Sequence, residues 1–161
     1  MEVIIVFSIL AIALFVSAFL TRRRFGLLGL ALAAGSIISG IWAREAGYIA
    51  SIIGIRQSAF STALILALMI ILPAVILLFH GTTYRNVIGR LVGALLFTML
   101  AFAFLIDPLG RILTLNGLGA DVYEAIYSQR SNIIGVGLII AIIDLFLTKP
   151  ASKLSEKRHK H

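Results

Sequence analysis

Residues 3–20 read VIIVFSILAIALFVSAFL, and Arg22, Arg23 and Arg24 follow after a single threonine. These 18 residues carry no charge, and they are long enough to cross a bilayer as one helix. Lys and Arg concentrate in short cytoplasmic loops, so the arginine cluster predicts that residues 21–24 are cytoplasmic and that Met1 is outside. A cleavable signal peptide is the alternative, because Val16-Ser17-Ala18 resembles a cleavage site. The residues before the apolar run contain no Lys or Arg, however, which favours a retained helix.

The composition of the whole chain also indicates a membrane protein. Of its 161 residues, 60% are hydrophobic, and the mean hydropathy is +1.07. A water-soluble domain of this size cannot bury so much apolar surface, so the predicted solvent is the lipid bilayer. The absence of cysteine excludes disulfides and thiolate metal sites.

Five segments qualify as membrane spans, each with the length that a bilayer core about 30 Å thick requires. The fourth is predicted to end at Asp107-Pro108, because proline disfavours continuation of a helix. The sequence thus predicts an all-α, polytopic transmembrane helix bundle over residues 1–148, with a basic cytoplasmic tail over 149–161. The five spans cover about residues 3–20, 25–42, 61–79, 87–107 and 132–148.

The distribution of charge supports five spans, with the N-terminus out and the C-terminus in. In that topology ten Lys and Arg residues face the cytoplasm and four face outside, and most acidic residues lie outside. Four spans would move the basic tail to the outer face. The net charge of +7 then indicates anionic lipid on the cytoplasmic face and no nucleic-acid partner. The residues predicted to contact lipid headgroups are Arg22, Arg23, Arg24, Lys149, Lys153, Lys157, Arg158 and Lys160.

Two outer loops contain helical patterns of their own. Residues 45–55 have apolar side chains at helical spacing, and residues 121–130 place Tyr123 and Tyr127 one turn apart. Both loops are predicted either to form short helices at the outer headgroup level or to extend a neighbouring span.

Small residues predict where helices pack closely. Gly89 and Gly93 form a G-x-x-x-G, which lets another backbone approach one face of a membrane helix. The second span has a similar stripe at Ala31, Gly35 and Ser39. These faces form either an oligomer interface or contacts between helices of one subunit, and the second reading is favoured.

Asp144 is the one ionisable residue well inside a predicted span. It shares a helix face with Gly137 and Ala141, and Arg90 lies at a similar depth on the fourth span. An Asp144–Arg90 ion pair is therefore predicted. Its role is either structural or that of a proton or ion relay, since intramembrane carboxylates often serve function. Pro73 in the third span adds a candidate kink.

The sequence contains no motif for catalysis or for a cofactor. His80 has no partner at ligand spacing, so no metal site is predicted. There is also no nucleophile elbow, P-loop or dinucleotide fingerprint. The prediction is a non-enzymatic protein without cofactors.

The order of features over residues 1–107 resembles the colicin V production protein family of small bacterial inner-membrane proteins. The resemblance lies in the basic turn Thr21-Arg22-Arg23-Arg24-Phe25-Gly26 and in the glycine pattern of RNVIGRLVGA at 85–94. The chain differs from the family at Arg85, where an Asp is usual, at Leu96-Phe97, and in having a fifth span.

The resemblance implies an envelope-maintenance or secretion-accessory role. Such a protein acts through packing with itself as a homo-oligomer or within a larger membrane complex. The alternative is a small transporter or channel that uses Asp144 and the third helix.

Overall fold

The computed structural model of the protein is all-α and describes residues 2–79, 84, 86–112 and 118–147. Within these residues the chain forms six helices joined by short connections. They are α1 (Glu2–Thr21), α2 (Phe25–Ile41), α3 (Ala46–Ile52), α4 (Ala59–Phe79), α5 (Val87–Gly110) and α6 (Leu118–Phe146).

Four of these helices, α1, α4, α5 and α6, are long and apolar enough to cross a membrane. Helix α2 has 17 residues and reaches that length only together with α3, which is bent 88° away from it. The chain is therefore a multi-pass membrane protein with four to five candidate spans, which confirms the predicted fold class. Its orientation in the bilayer stays a prediction.

Helix α2 lies at the centre of the bundle. It packs against α4, α5 and α6, while α1 packs mainly on α5. The core at this junction consists of large apolar side chains that are almost fully buried, among them Phe25, Leu28, Leu32, Phe97, Leu100 and Leu105. The outward faces of the long helices are apolar and exposed, as lipid contact requires.

Each outer loop follows one of its two predicted alternatives. Residues 46–52 form the separate helix α3, whose Ala46 and Ala50 are buried against Ile65 and Leu66 of α4. Residues 121–130 instead belong to α6, where Tyr123 and Tyr127 stack with ring centroids 5.7 Å apart. Helix α6 thus starts well before the predicted residue 132, and its 29 residues span about 43 Å, more than a bilayer core needs.

Helix α5 continues past the predicted end at Asp107 to Gly110, with Pro108 inside it. A proline removes one backbone donor and crowds the carbonyl four residues earlier, but it does not force the preceding turn to end. Only two helical residues follow Pro108 here. The expected stop was therefore three residues too early.

Candidate functional site

Asp144 joins α6 to the start of α2 through a hydrogen bond. The backbone N–H of Gly26 donates to its Oδ2 over 2.9 Å. A side chain at position 26 would not fit, because a Cβ there would lie 2.5 Å from the carbonyl oxygen of Ala141. The carboxylate thus takes up one of the first N–H groups of a helix, which have no partner within the helix itself.

Tyr84 lies beside this contact and connects three segments. Its hydroxyl accepts a hydrogen bond from the N–H of Phe25 at 3.1 Å and also contacts the Asp144 carboxylate. Its own N–H donates to the carbonyl of Arg22 over 2.8 Å. Burial of the phenol is the main cause that raises the pKa of Tyr84 to about 12, and the nearby Asp144 charge adds to it.

The predicted glycine pair of α5 makes room for that phenol. A Cβ at Gly89 would lie 3.1 Å from the Tyr84 ring, and a Cβ at Gly93 would lie 2.7 Å from it. The G-x-x-x-G face therefore receives a side chain of the same chain.

Arg90 and Asp144 have different partners, although the sequence predicted an ion pair between them. The Arg90 guanidinium donates from Nη2 to the carbonyl of Phe19 at 2.9 Å and lies 4.5 Å from the centroid of the Phe19 ring. Phe19 is in the last turn of α1, where backbone carbonyls lack helical partners and the helix dipole favours a cation. Arg90 thus closes the end of α1.

The three arginines of the Arg22–Arg24 turn have different partners. Arg23 donates from Nε and Nη2 to the carbonyls of Leu78 and Phe79, over 2.9 and 2.8 Å, and so closes the end of α4. Arg24 places its guanidinium 5.6 Å from the Tyr84 ring centroid, while Arg22 is exposed and has a φ of 57°. Of the predicted headgroup residues, Lys149, Lys153, Lys157, Arg158 and Lys160 lie outside the described residues.

The predicted small-residue stripe of α2 faces α4. Ala31, Gly35 and Ser39 are all buried. At Gly35 the two backbones come so close that a Cβ would overlap the carbonyl oxygen of Ile70 and lie 2.7 Å from that of Met69. The carbonyl of Met69 is the one that would accept the missing N–H of Pro73, so a Cα–H of Gly35 is placed to contact it.

The remaining predicted packing residues, on α6, also contact neighbours in the same chain. A Cβ on Gly137 would lie 2.9 Å from Leu100 of α5, and the Ala141 side chain lies 3.1 Å from the position of a Cβ on Gly29. The predicted small-residue faces of α2 and α6 thus pack against other helices of the chain, whereas the face of α5 packs against Tyr84 in a connection.

A polar cavity lies at the other end of the bundle, and no motif in the sequence predicted it. It has a volume of about 300 Å³ and lies between α2, α4, α5 and α6. Its polar wall consists of Ser36, Ser39, Asp107, Arg111 and Arg130, and its apolar wall includes Leu66, Ile70, Phe104 and Ile134. Arg130 of α6 forms an ion pair with Asp107 of α5 across the cavity wall.

The cavity residues were visible in the sequence only as separate signals. Ser36 and Ser39 are three positions apart and so share a face of α2, and Asp107 ends the predicted fourth span. Arg130 lies in the stretch 121–130, which the sequence predicts either as a separate interfacial helix or as an extension of a span, and its position opposite Asp107 follows only from the extension.

The two ends differ in what they offer chemically. The end that carries the Arg22–Arg24 turn uses its charged groups to hold helix termini, whereas the cavity presents hydroxyl and guanidinium groups to open space. Among the described residues there is no group of three His, Cys, Asp or Glu side chains that could hold a metal ion.

Comparisons with known proteins add no family. No family model matches the chain, and no curated protein and no solved structure is significantly similar to it. Its fold and composition define it as a polytopic α-helical membrane protein.

Proposed function

We propose that the protein is a non-enzymatic membrane component with an envelope-maintenance or secretion-accessory role, which acts by packing against itself or partner subunits. The resemblance of residues 1–107 to the colicin V production protein family supports the role. The surface of α6 supports the mode of action.

The single observation that carries the proposal is a pair of exposed amides on α6. Asn132 donates from Nδ2 to Oε1 of Gln129 over 3.0 Å, and both side chains are exposed. Asn132 lies 14 residues before the end of α6 at Phe146, about 21 Å along the helix. That depth places Asn132 in the outer third of a bilayer core of about 30 Å, just inside the level of Arg130, and polar groups on membrane helices commonly bond to a neighbouring helix.

The surroundings of these amides suit a partner helix. A Cβ on Gly135 would meet nothing within 4 Å, and Val136 is exposed on the same stretch. In the part of α6 that is long enough to cross a membrane, only 6% of the residues are buried within the chain. A second membrane helix on this face would bury apolar surface. Its polar groups could form hydrogen bonds with the remaining donors and acceptors of both amides.

The test is purification of the full-length protein in a mild detergent, followed by mass spectrometry and measurement of the oligomeric state. A stable homo-oligomer or a defined set of co-purifying membrane proteins is expected, and the double variant Asn132→Leu, Gln129→Leu should reduce it. The matched control is Ser128→Ala, since Ser128 bonds its own helix at the carbonyl of Ala125. A monomer that carries no partner in either protein would contradict the proposal.

The transporter alternative is favoured by one observation, the polar cavity. Asp144 lies at the opposite end, where it bonds the Gly26 N–H, so it belongs to a different region from the cavity. Substrate-dependent flux into liposomes that contain only this protein would replace the accessory role with transport.

A further inference from the structure

The cavity between α2, α4, α5 and α6 is lined by a serine hydroxyl that could bond a ligand. Ser39 is only 7% exposed and lines the cavity. Within the described part of the chain its hydroxyl has no hydrogen-bond partner, whereas Ser36 donates to the carbonyl of Ala33 over 2.9 Å. The Ser39 oxygen is not among the fully buried polar atoms that lack a partner, so it faces the open cavity and can bond a group inside it.

The charge of the cavity wall selects an anion. Arg130 is paired with Asp107, and Arg111 lines the same wall without an ion pair to any described residue. Two guanidinium groups and one carboxylate leave a net charge of +1. A singly charged oxyanion balances it, and guanidinium groups bind phosphate and carboxylate oxygens with two parallel hydrogen bonds.

The position and size of the cavity restrict the ligand further. Asp107 lies 20 residues along α5 from Val87, about 30 Å, so the cavity is near the level of the lipid headgroups at that end of the bundle. Gly40, Ala43 and Arg111 are exposed and line the cavity, which therefore reaches the surface. A volume of about 300 Å³ suits a small headgroup and not a whole lipid.

We propose that this cavity binds a phosphate ester with a single negative charge, with its oxyanion at Arg111 and Arg130 and a hydrogen bond to the Ser39 hydroxyl. The phosphate belongs either to the headgroup of an anionic phospholipid or to a soluble phosphodiester of the same headgroup. The site does not depend on the proposed accessory role, because neither Gln129 nor Asn132 lines the cavity and because the site is tested by binding alone.

The experiment uses the full-length protein in detergent and measures binding by native mass spectrometry. The probes are phosphatidylglycerol, phosphatidylcholine and the soluble glycerophosphoglycerol. The expected result is retention of phosphatidylglycerol in preference to phosphatidylcholine, because the cavity has an excess positive charge. Arg111→Gln and Ser39→Ala should each weaken binding, with the arginine change costing about tenfold or more in affinity.

Arg56→Gln is the matched control, since Arg56 is an exposed arginine of another loop and does not line the cavity. It should bind like the unchanged protein. Binding of glycerophosphoglycerol with the same loss in Arg111→Gln would assign the site to a soluble ester. The proposal is overturned if none of the probes binds, or if Arg111→Gln and Ser39→Ala retain the affinity of Arg56→Gln. Equal retention of phosphatidylcholine and phosphatidylglycerol would also overturn it.

Discussion

The two ends of the bundle use the same kinds of charged residue in opposite ways. At the end with the Arg22–Arg24 turn, Arg23, Arg90 and Asp144 bind backbone groups at helix termini. At the other end Asp107 and Arg130 bind each other beside a cavity, and Arg111 stands next to them. A terminal carbonyl or N–H fixes a charge to the frame of the fold, whereas a pair of side chains can rearrange around a ligand.

The difference follows from the direction of the helices. Helices α1 and α4 both end at the Arg22–Arg24 side, so their free carbonyls and dipoles favour arginine there, and the first N–H groups of α2 favour a carboxylate. The arginines at this end therefore stabilise helix ends. The sequence had indicated only that they set the orientation of the chain in the membrane.

The largest effect on stability should come from the close contact between α2 and α4, which lies between the two ends of the bundle. Gly35→Ala would place a Cβ against the carbonyls of Ile70 and Met69, so the helices must move apart. We expect a loss of about 1–3 kcal/mol in the free energy of unfolding, measured by thermal or denaturant unfolding in detergent. Gly40→Ala on the same helix is the control, because its Cβ would meet nothing within 4 Å. Equal stability of the two variants would contradict the close approach.

Removal of one carboxylate at each end of the bundle tests whether the two ends contribute differently to stability. Asp144→Ala leaves the Gly26 N–H without its acceptor, which should cost about 1–3 kcal/mol. Asp107→Ala breaks an ion pair whose side chains are 31% and 44% exposed, and such pairs contribute only about 0–1 kcal/mol. The same unfolding measurement applies to both variants. A larger loss for Asp107→Ala than for Asp144→Ala would reverse the assignment of the structural end.

Smaller effects, opposite in sign to each other, are expected at the two residues of the described chain that have a positive φ. Arg22 has a φ of 57° and Gly54 has a φ of 81°, in turns at opposite ends of the bundle. A side chain in the left-handed region costs roughly 1 kcal/mol, so Arg22→Gly should gain up to that amount, and Gly54→Ala should lose it. Arg22→Ala separates strain from charge, because it removes the guanidinium and keeps the Cβ. A gain in Arg22→Ala equal to that of Arg22→Gly would assign the effect to charge.

The sequence was sufficient for the all-α, multi-pass membrane class, because that class depends on local composition and period. It was insufficient for the partners of charged groups. Asp144 and Arg90 have similar depth, but depth does not say which helix ends lie beside them, and each found a backbone group instead. Residues 121–130, which include Arg130, were predicted either as a separate interfacial helix or as an extension of a neighbouring span, and the structure shows that they continue α6. The cavity depends on that extension and was therefore not visible.

The last prediction concerns Tyr84, which is identified by the pH dependence of its contribution to stability. Its pKa is raised from 10.0 to about 12 in the folded protein, chiefly by burial, so the folded state holds the phenol proton more tightly than the unfolded chain does. The stability that this proton contributes is complete below pH 10.0 and is lost as the pH rises towards about 12. Tyr84→Phe should therefore remove part of the alkaline loss of stability, and an ultraviolet titration should lose its highest tyrosinate step. Tyr48→Phe, which alters an exposed tyrosine of α3, should leave that step in place. Loss of the step in Tyr48→Phe would contradict its assignment to Tyr84.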